Sequence, residues 1–214
     1  MREIIIIGAG GLGLETADLI EQINESKPYK TWKILGFVDD NIEMHGRKIG
    51  KYEVLGDVKF LINKFKCKRI NVVIAIADTE IKRKLLYKTS SYFKFPTLIH
   101  PTSIISKSST IGKGCLIFAN CIVSSEVKIR DFVTMNPKCG IGHNSRICDF
   151  SSLMWNVNVS GNVMIMKGCY LGTNCTIIQN VTIEPACTIG AGAVVINDVK
   201  YKSTMVGVPA IRIK

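Results

Sequence analysis

From Ile105 onward, every sixth residue is aliphatic or methionine: Ile105, Ile111, Ile117, Val123, Ile129, Met135, Ile141, Ile147, Leu153, Val159, Ile165, Leu171, Ile177, Ile183, Ile189 and Val195. With 47% of the chain hydrophobic, an unbroken run of this length arises by chance on the order of once in 100,000 sequences. Four residues after each lies a second register that holds only Ser, Cys, Val or Ala. A chain that turns every six residues closes one coil of a three-sided prism every eighteen. Three walls converging on a narrow interior call for an aliphatic plug at each corner and a small inward residue on each flat face. Stacked coils share parallel ladder hydrogen bonds at about 4.8 Å per coil, so roughly five coils rise about 25 Å. The repeat therefore predicts a left-handed parallel β-helix (hexapeptide repeats) over residues 101–214, ending in a short C-terminal tail.

Six of the eight cysteines, Cys115, Cys121, Cys139, Cys169, Cys175 and Cys187, fall in the small register. There they serve as small buried hydrophobes, not as disulfides or metal ligands. The chain has no CxxC pair, and His45, His100 and His143 are far apart in sequence, so no metal site is expected. Because the frame never slips, no loop covers the prism's flat faces, and we expect a homotrimer.

The first hundred residues follow a different pattern. Apolar strands at Glu3–Gly8, Lys33–Val38, Ile70–Ile76 and Thr97–His100 alternate with helical stretches through about Ile23, at Asp57–Phe65 and at Thr79–Thr89. That alternation predicts a small Rossmann-like α/β domain over residues 1–100. Gly8, Gly10 and Gly13 form a G-x-G-x-x-G turn between the first strand and its helix, a pattern that admits phosphate at a helix N-terminus. A hundred residues is short for a complete two-lobed dinucleotide fold.

No stretch is long and apolar enough to span a bilayer, and the N-terminus lacks a signal-peptide pattern, so a cytoplasmic protein is expected. The net charge of +11 divides as 17 Lys+Arg against 12 Asp+Glu in residues 1–100 and 11 against 5 thereafter. No basic run is interleaved with aromatics, which argues for small anionic ligands over nucleic acid. Within the repeat, His143 is the only histidine and points outward, two residues after Ile141. An imidazole there can move a proton near neutral pH.

Taken in order, GAGGLG, FVDDN, AIADTEIKRKL, LIHPTSIIS, NPKCGIGHN, SGNVMIMKGCYLGTNC, IGAGAVV and GVPA span nearly the whole chain. With these motifs the sequence resembles the sialic acid O-acetyltransferase family of sugar O-/N-acyltransferases. That family includes N-acetyltransferases of UDP-linked amino-dideoxy sugars in bacillosamine-type pathways. The resemblance implies an acetyl-CoA-dependent acetyltransferase for a nucleotide-activated amino sugar in surface glycan synthesis. O-acetylation of a sugar is the nearest alternative, and a non-catalytic scaffold a more distant one.

By position, the resemblance makes His143 the general base and places Asn136 in the substrate pocket. Asn144 stands where the family usually has Asp or Glu. An amide can orient the ring but brings no charge, so either the enzyme works with a less basic histidine or another acid such as Asp149 or Glu126 substitutes. The resemblance assigns Gly8, Gly10, Gly11, Leu12, Gly13, Asp39 and Asp40 to the nucleotide sugar, Leu12 standing where the family often has histidine. It assigns Gly161, Gly172, Gly190 and Arg212 to acetyl-CoA, in a site between neighbouring prisms.

Overall fold

The computed structural model describes all 214 residues, which form two units, Met1–Pro101 and Thr102–Lys214. In the first unit, β1 (Arg2–Ile7) is the middle strand of a three-stranded parallel sheet, between β2 (Trp32–Val38) and β5 (Asn71–Ile74). Its isoleucines 4 to 7 are all buried, as a central parallel strand covered on both faces requires. Helix α1 (Gly11–Glu25) packs Ala17, Leu19, Ile20 and Ile23 inward. Helices α2 (Val58–Phe65) and α3 (Thr79–Thr89) begin after Asp57 and Asp78, whose carboxylates accept from Phe60 N at 2.7 Å and Ile81 N at 2.8 Å. These are aspartate N-caps that satisfy otherwise unpaired amides.

A short antiparallel hairpin, β3 (Lys48–Ile49) and β4 (Tyr52–Glu53), turns through Gly50 at φ +59°. Sequence periodicity gives no sign of it, because two-residue strands are too short to show alternation. No helix of the chain is long and apolar enough to cross a membrane.

The second unit is a parallel solenoid of two-residue strands on three faces. One face runs from Ile104–Ile105 to Val194–Val195, and a second from Thr110–Ile111 to Thr182–Ile183. The third carries Leu116–Ile117, Thr134–Met135, Ser152–Leu153, Tyr170–Leu171 and Thr188–Ile189, continued by Thr204–Val206. Partners are eighteen residues apart, as in Ile122↔Gly140 and Lys128↔Arg146.

The structure corrects the expected placement of the two registers. The aliphatic residues are the second residues of the strands, on the flat faces, and the small residues come just after each turn. The cause is the turn itself. Three residues after each aliphatic position from Gly114 to Gly192, φ lies between +54° and +70°. Nine of the fourteen residues there are Asn or Gly, the types that adopt this region most readily. The residue after the bend points into the narrow apex, where only a small side chain fits.

The small register has a second duty. Ser109, Ser145 and Ser151 donate their hydroxyls to the carbonyl fifteen residues on, at 2.6, 2.9 and 3.1 Å. Cys115, Cys121, Cys139 and Cys169 donate their thiols to the equivalent carbonyl, at 3.0, 3.3, 2.9 and 3.2 Å. Serine and cysteine therefore do one job here, filling the apex and pairing the carbonyl of the next coil. Burial pushes the Cys169 and Cys175 thiols up to about 12, so they stay protonated and unreactive near neutral pH. We predict that Cys139→Ser unfolds within about 1 kcal/mol of the parent protein, because the donor survives. Cys139→Leu should lose about 1–3 kcal/mol through overpacking; urea midpoints distinguish the two.

Candidate active site

His143 and Asn144 occupy the turn between strands Gly140–Ile141 and Arg146–Ile147. Asn144 is the left-handed residue of that turn, at φ +59°. Its side-chain oxygen lies 2.9 Å from His143 Nδ1. A carboxamide oxygen has no hydrogen to give, so Nδ1 carries the ring proton and the neutral imidazole keeps its lone pair on Nε2. His143 is exposed, and Nε2 is free to accept a proton.

The ring lies over Gly161, one coil further on. A Cβ at residue 161 would come within 2.7 Å of His143 Cε1 and Nε2. Glycine at this position thus makes room for the imidazole, a reason different from the close approach of a ligand expected from sequence. Beside the ring, Ser160 N and Asn162 N donate to Ile177 O and His143 O, while Gly161 N has no acceptor within the chain. One exposed proton acceptor and one unused backbone donor therefore lie side by side, the pair that acyl transfer requires.

Neither substitute acid reaches the ring. Asp149 Oδ1 accepts from Asp131 N at 3.0 Å in the next turn of the coil. Glu126 is the left-handed residue one coil below Asn144, exposed, and makes no hydrogen bond to the ring.

Asn136 follows strand Thr134–Met135 and is 4% exposed. Its Nδ2 donates to Met154 Sδ at 3.5 Å, and its Oδ1 is buried without a partner. A buried, unpaired carbonyl oxygen costs about 1–3 kcal/mol, an arrangement found where a ligand supplies the missing donor. Gly172 and Gly190 stand two and three coils beyond Asn136 in the same column. A Cβ at Gly172 would meet Ala191 N at 2.6 Å, and one at Gly190 would meet Val206 Cγ1 at 2.8 Å. Packing by the following coils alone therefore excludes larger residues there. Arg212 lies exposed on the terminal hairpin, paired with Met205, and its Nε donates to Lys214 O at 3.0 Å.

In the first unit the glycine loop and the aspartates come together at the carboxyl ends of β1 and β2. Gly13 packs so closely that a Cβ would lie 2.0 Å from Gly8 O, whereas Gly10 and Gly11 face open space. Gly10 begins α1 with no side-chain cap and no acidic residue in the first turn, which leaves its amide groups available to an anion. Leu12 is half-buried and its carbonyl accepts the Thr16 hydroxyl at 2.7 Å. Asp39 ties the loop down: Oδ2 accepts Ala9 N at 2.8 Å and Oδ1 accepts Asn41 N at 2.9 Å. Asp40 Oδ1 accepts Val58 N at 3.1 Å at the start of α2. Both carboxylates thus hold backbone, a role sequence inspection does not reveal.

Residues 3–89 match the PglD N-terminal domain family. GDP-perosamine N-acetyltransferase from Escherichia coli O157:H7 is 29% identical over 140 residues, which cover 65% of this chain and 61% of that enzyme. The aligned part thus falls short of two thirds of that relative's length. The acetyltransferase domain of PglB from Neisseria gonorrhoeae FA1090 superposes over 100% of both chains with a TM-score of 0.89 and 27% identity. A structure of that domain in complex with acetyl coenzyme A superposes with a TM-score of 0.88 over 99% of each chain. PerB from Caulobacter crescentus, solved with CoA and GDP-perosamine, shares the fold at a TM-score of 0.89 and 23% identity, over 99% of this chain and 97% of that one.

The architecture is thus a small α/β domain followed by a left-handed hexapeptide β-helix of the acyltransferase type. In sequence and fold the chain is similar to these acetyltransferases, and its first unit matches the PglD N-terminal domain family.

The seat of the ring over Gly161 has a direct check. Gly161→Ala should displace the imidazole and abolish the Nδ1–H contact to Asn144, read as a shift of the His143 ring resonances in NMR with the fold retained.

Proposed function

We propose that the protein is an acetyl-CoA-dependent N-acetyltransferase acting on a nucleotide-linked amino sugar in glycan synthesis, working as a homotrimer in the cytoplasm. The observation that carries this reading is the exposed His143 ring, its tautomer set by Asn144, beside the unused Gly161 N–H. The names of the relatives favour an amine acceptor over a hydroxyl.

In this reading the acceptor nitrogen attacks the thioester carbonyl carbon of acetyl-CoA while His143 Nε2 takes its proton. The Gly161 N–H donates to the carbonyl oxygen as negative charge gathers there. The C–S bond then breaks, and the imidazolium returns the proton to the departing sulfur, so CoA leaves as the thiol. Gly172, Gly190 and Arg212 lie on the acetyl-CoA side. The glycine loop from Gly8 to Gly13, with Asp39 and Asp40, holds the nucleotide.

The positions of the polar groups support the trimer in this reading. Asn136 precedes the turn before strand Gly140–Ile141, and His143 lies in the turn after it. In this reading a neighbouring prism placed against the face that carries this strand brings its own Asn136 toward this His143. Ile104 and Ile122, 66% and 51% exposed, lie on the same face, apolar surface suited to such an interface. Sedimentation should give three times the chain mass, and a stable monomer would count against the composite site.

The deciding experiment is mass spectrometry of nucleotide-linked amino sugars incubated with acetyl-CoA and the protein. Acetylation is expected to add one acetyl group at the amine. No product with any of them, together with no thermal stabilisation by acetyl-CoA, would refute the proposal. His143→Ala should lower kcat at least about a hundredfold, the usual contribution of a general base. Asn144→Asp places a negative charge beside the imidazolium and stabilises it. The base must be neutral to act, so the acidic limb of the kcat/KM profile should move to higher pH in that variant.

A further inference from the structure

The carboxyl ends of the strands carry the glycine loop, but the opposite rim of the same sheet has chemistry of its own. Register places Arg2 beside Trp32, Glu3 beside Lys33, and Ile4 beside Asn71, with Asn71 bridging to Lys94. The amino-terminal ends of all three strands therefore converge, and Arg2, Lys33, Arg69 and Lys94 line one shallow depression of about 640 Å³ together with Met1, Glu3 and Asn71. A second depression adjoins it through Met1 and Lys33 and adds Lys30 and Lys51 against Glu21 and Glu25, Lys51 being paired with Glu21 at 2.6 Å.

In the first depression few charges are neutralised. Glu3 is the single acid lining the first depression, and it reaches Lys33 only at 3.7 Å. Arg2 rests over the Trp32 ring at 5.5 Å, and Arg69 and Lys94, both exposed, form no ion pair. Two apolar groups stand out of the same rim. Met1 is 77% exposed, and Tyr29 is 76% exposed in the loop that leads into β2.

We propose that this rim docks the protein on the surface of an anionic bilayer. The first depression is open and lined chiefly by long cationic side chains, and none of its polar residues is buried to define a discrete small ligand. A flat array of cations flanked by an exposed methionine and tyrosine matches a headgroup layer, where lysine and arginine meet lipid phosphate and the apolar groups enter the boundary. The rim lies at the opposite end of the strands from the glycine loop, so docking leaves the loop open to solution.

The test is co-sedimentation of the full-length protein with vesicles of phosphatidylcholine alone and with phosphatidylglycerol added. Binding should be at least about tenfold stronger to the anionic vesicles and be lost in high salt, where the Debye length shrinks to about 3 Å. An Arg69→Glu, Lys94→Glu double variant should lose that binding while its acetyl transfer in solution is unchanged. A Lys84→Glu, Lys88→Glu variant on α3 carries the same change in net charge and should bind almost as the parent does. Equal binding to both vesicle types, or no binding to either, would overturn the proposal. So would equal losses in the two double variants, which would assign the attraction to net charge alone, or retained binding by the rim variant.

Discussion

A bend at every sixth residue governs the β-helical unit. The bend needs a left-handed backbone, and the chain meets that need with Asn or Gly at most turns and with Glu126, Phe132, Lys138, Phe150 and Ala186 at the rest. Holding an ordinary side chain in this region costs energy, and the ladder hydrogen bonds on either side of each turn offset it. The two phenylalanines at these bends find a use. The Phe132 and Phe150 rings stack at 5.7 Å and 11° between coils, and the Phe132 ring covers Gly114, where a Cβ would meet it at 2.4 Å. The same bends fix the inward direction of the next side chain, and so they set the small register, the cysteine content and the thiol-to-carbonyl bonds together.

This explains why the solenoid is legible in sequence and much of its detail is not. A six-residue period of aliphatic and small residues is a local signal repeated many times, and it identifies fold and cysteine role without reference to partners. The exact position of the turn is less visible, because aliphatic and small residues both point inward and composition alone does not say which flanks the bend. The row of Asn and Gly three residues after each aliphatic position carries that information. The hairpin Lys48–Glu53 escapes sequence reading for the opposite reason: it occurs once, with strands of two residues. Helices α2 and α3, by contrast, announce themselves through their aspartate caps.

Among the candidate site residues, legibility follows how local the geometry is. His143 and Asn144 are neighbours in sequence, and their contact could be anticipated as an orienting bond. The seat of the ring over Gly161 depends on the coil spacing of eighteen and is seen only once the prism is built. Asp39 and Asp40 read as free acceptors in a strand-ending motif, yet their oxygens hold the amides of Ala9, Asn41 and Val58. Each carboxylate oxygen has a second lone pair, so anchoring the loop and receiving a nucleotide hydroxyl are compatible duties. The anchoring also fixes the loop before any ligand arrives, which lowers the ordering cost of binding.

The same geometry makes sense of the amide at position 144. The residue after His143 has to occupy a left-handed bend, accept a hydrogen bond from Nδ1, and leave its own N–H to Ser125 O, which it reaches at 3.0 Å. Asparagine meets all three conditions, and its oxygen fixes the tautomer as well as a carboxylate oxygen would. What it omits is the charge. A carboxylate here would add a negative charge beside the ring, whereas the amide supplies orientation alone. In the proposed reaction the histidine both takes and returns one proton through the same Nε2, and a partner that holds Nδ1 keeps that nitrogen aimed at the reacting atoms through both halves of the cycle.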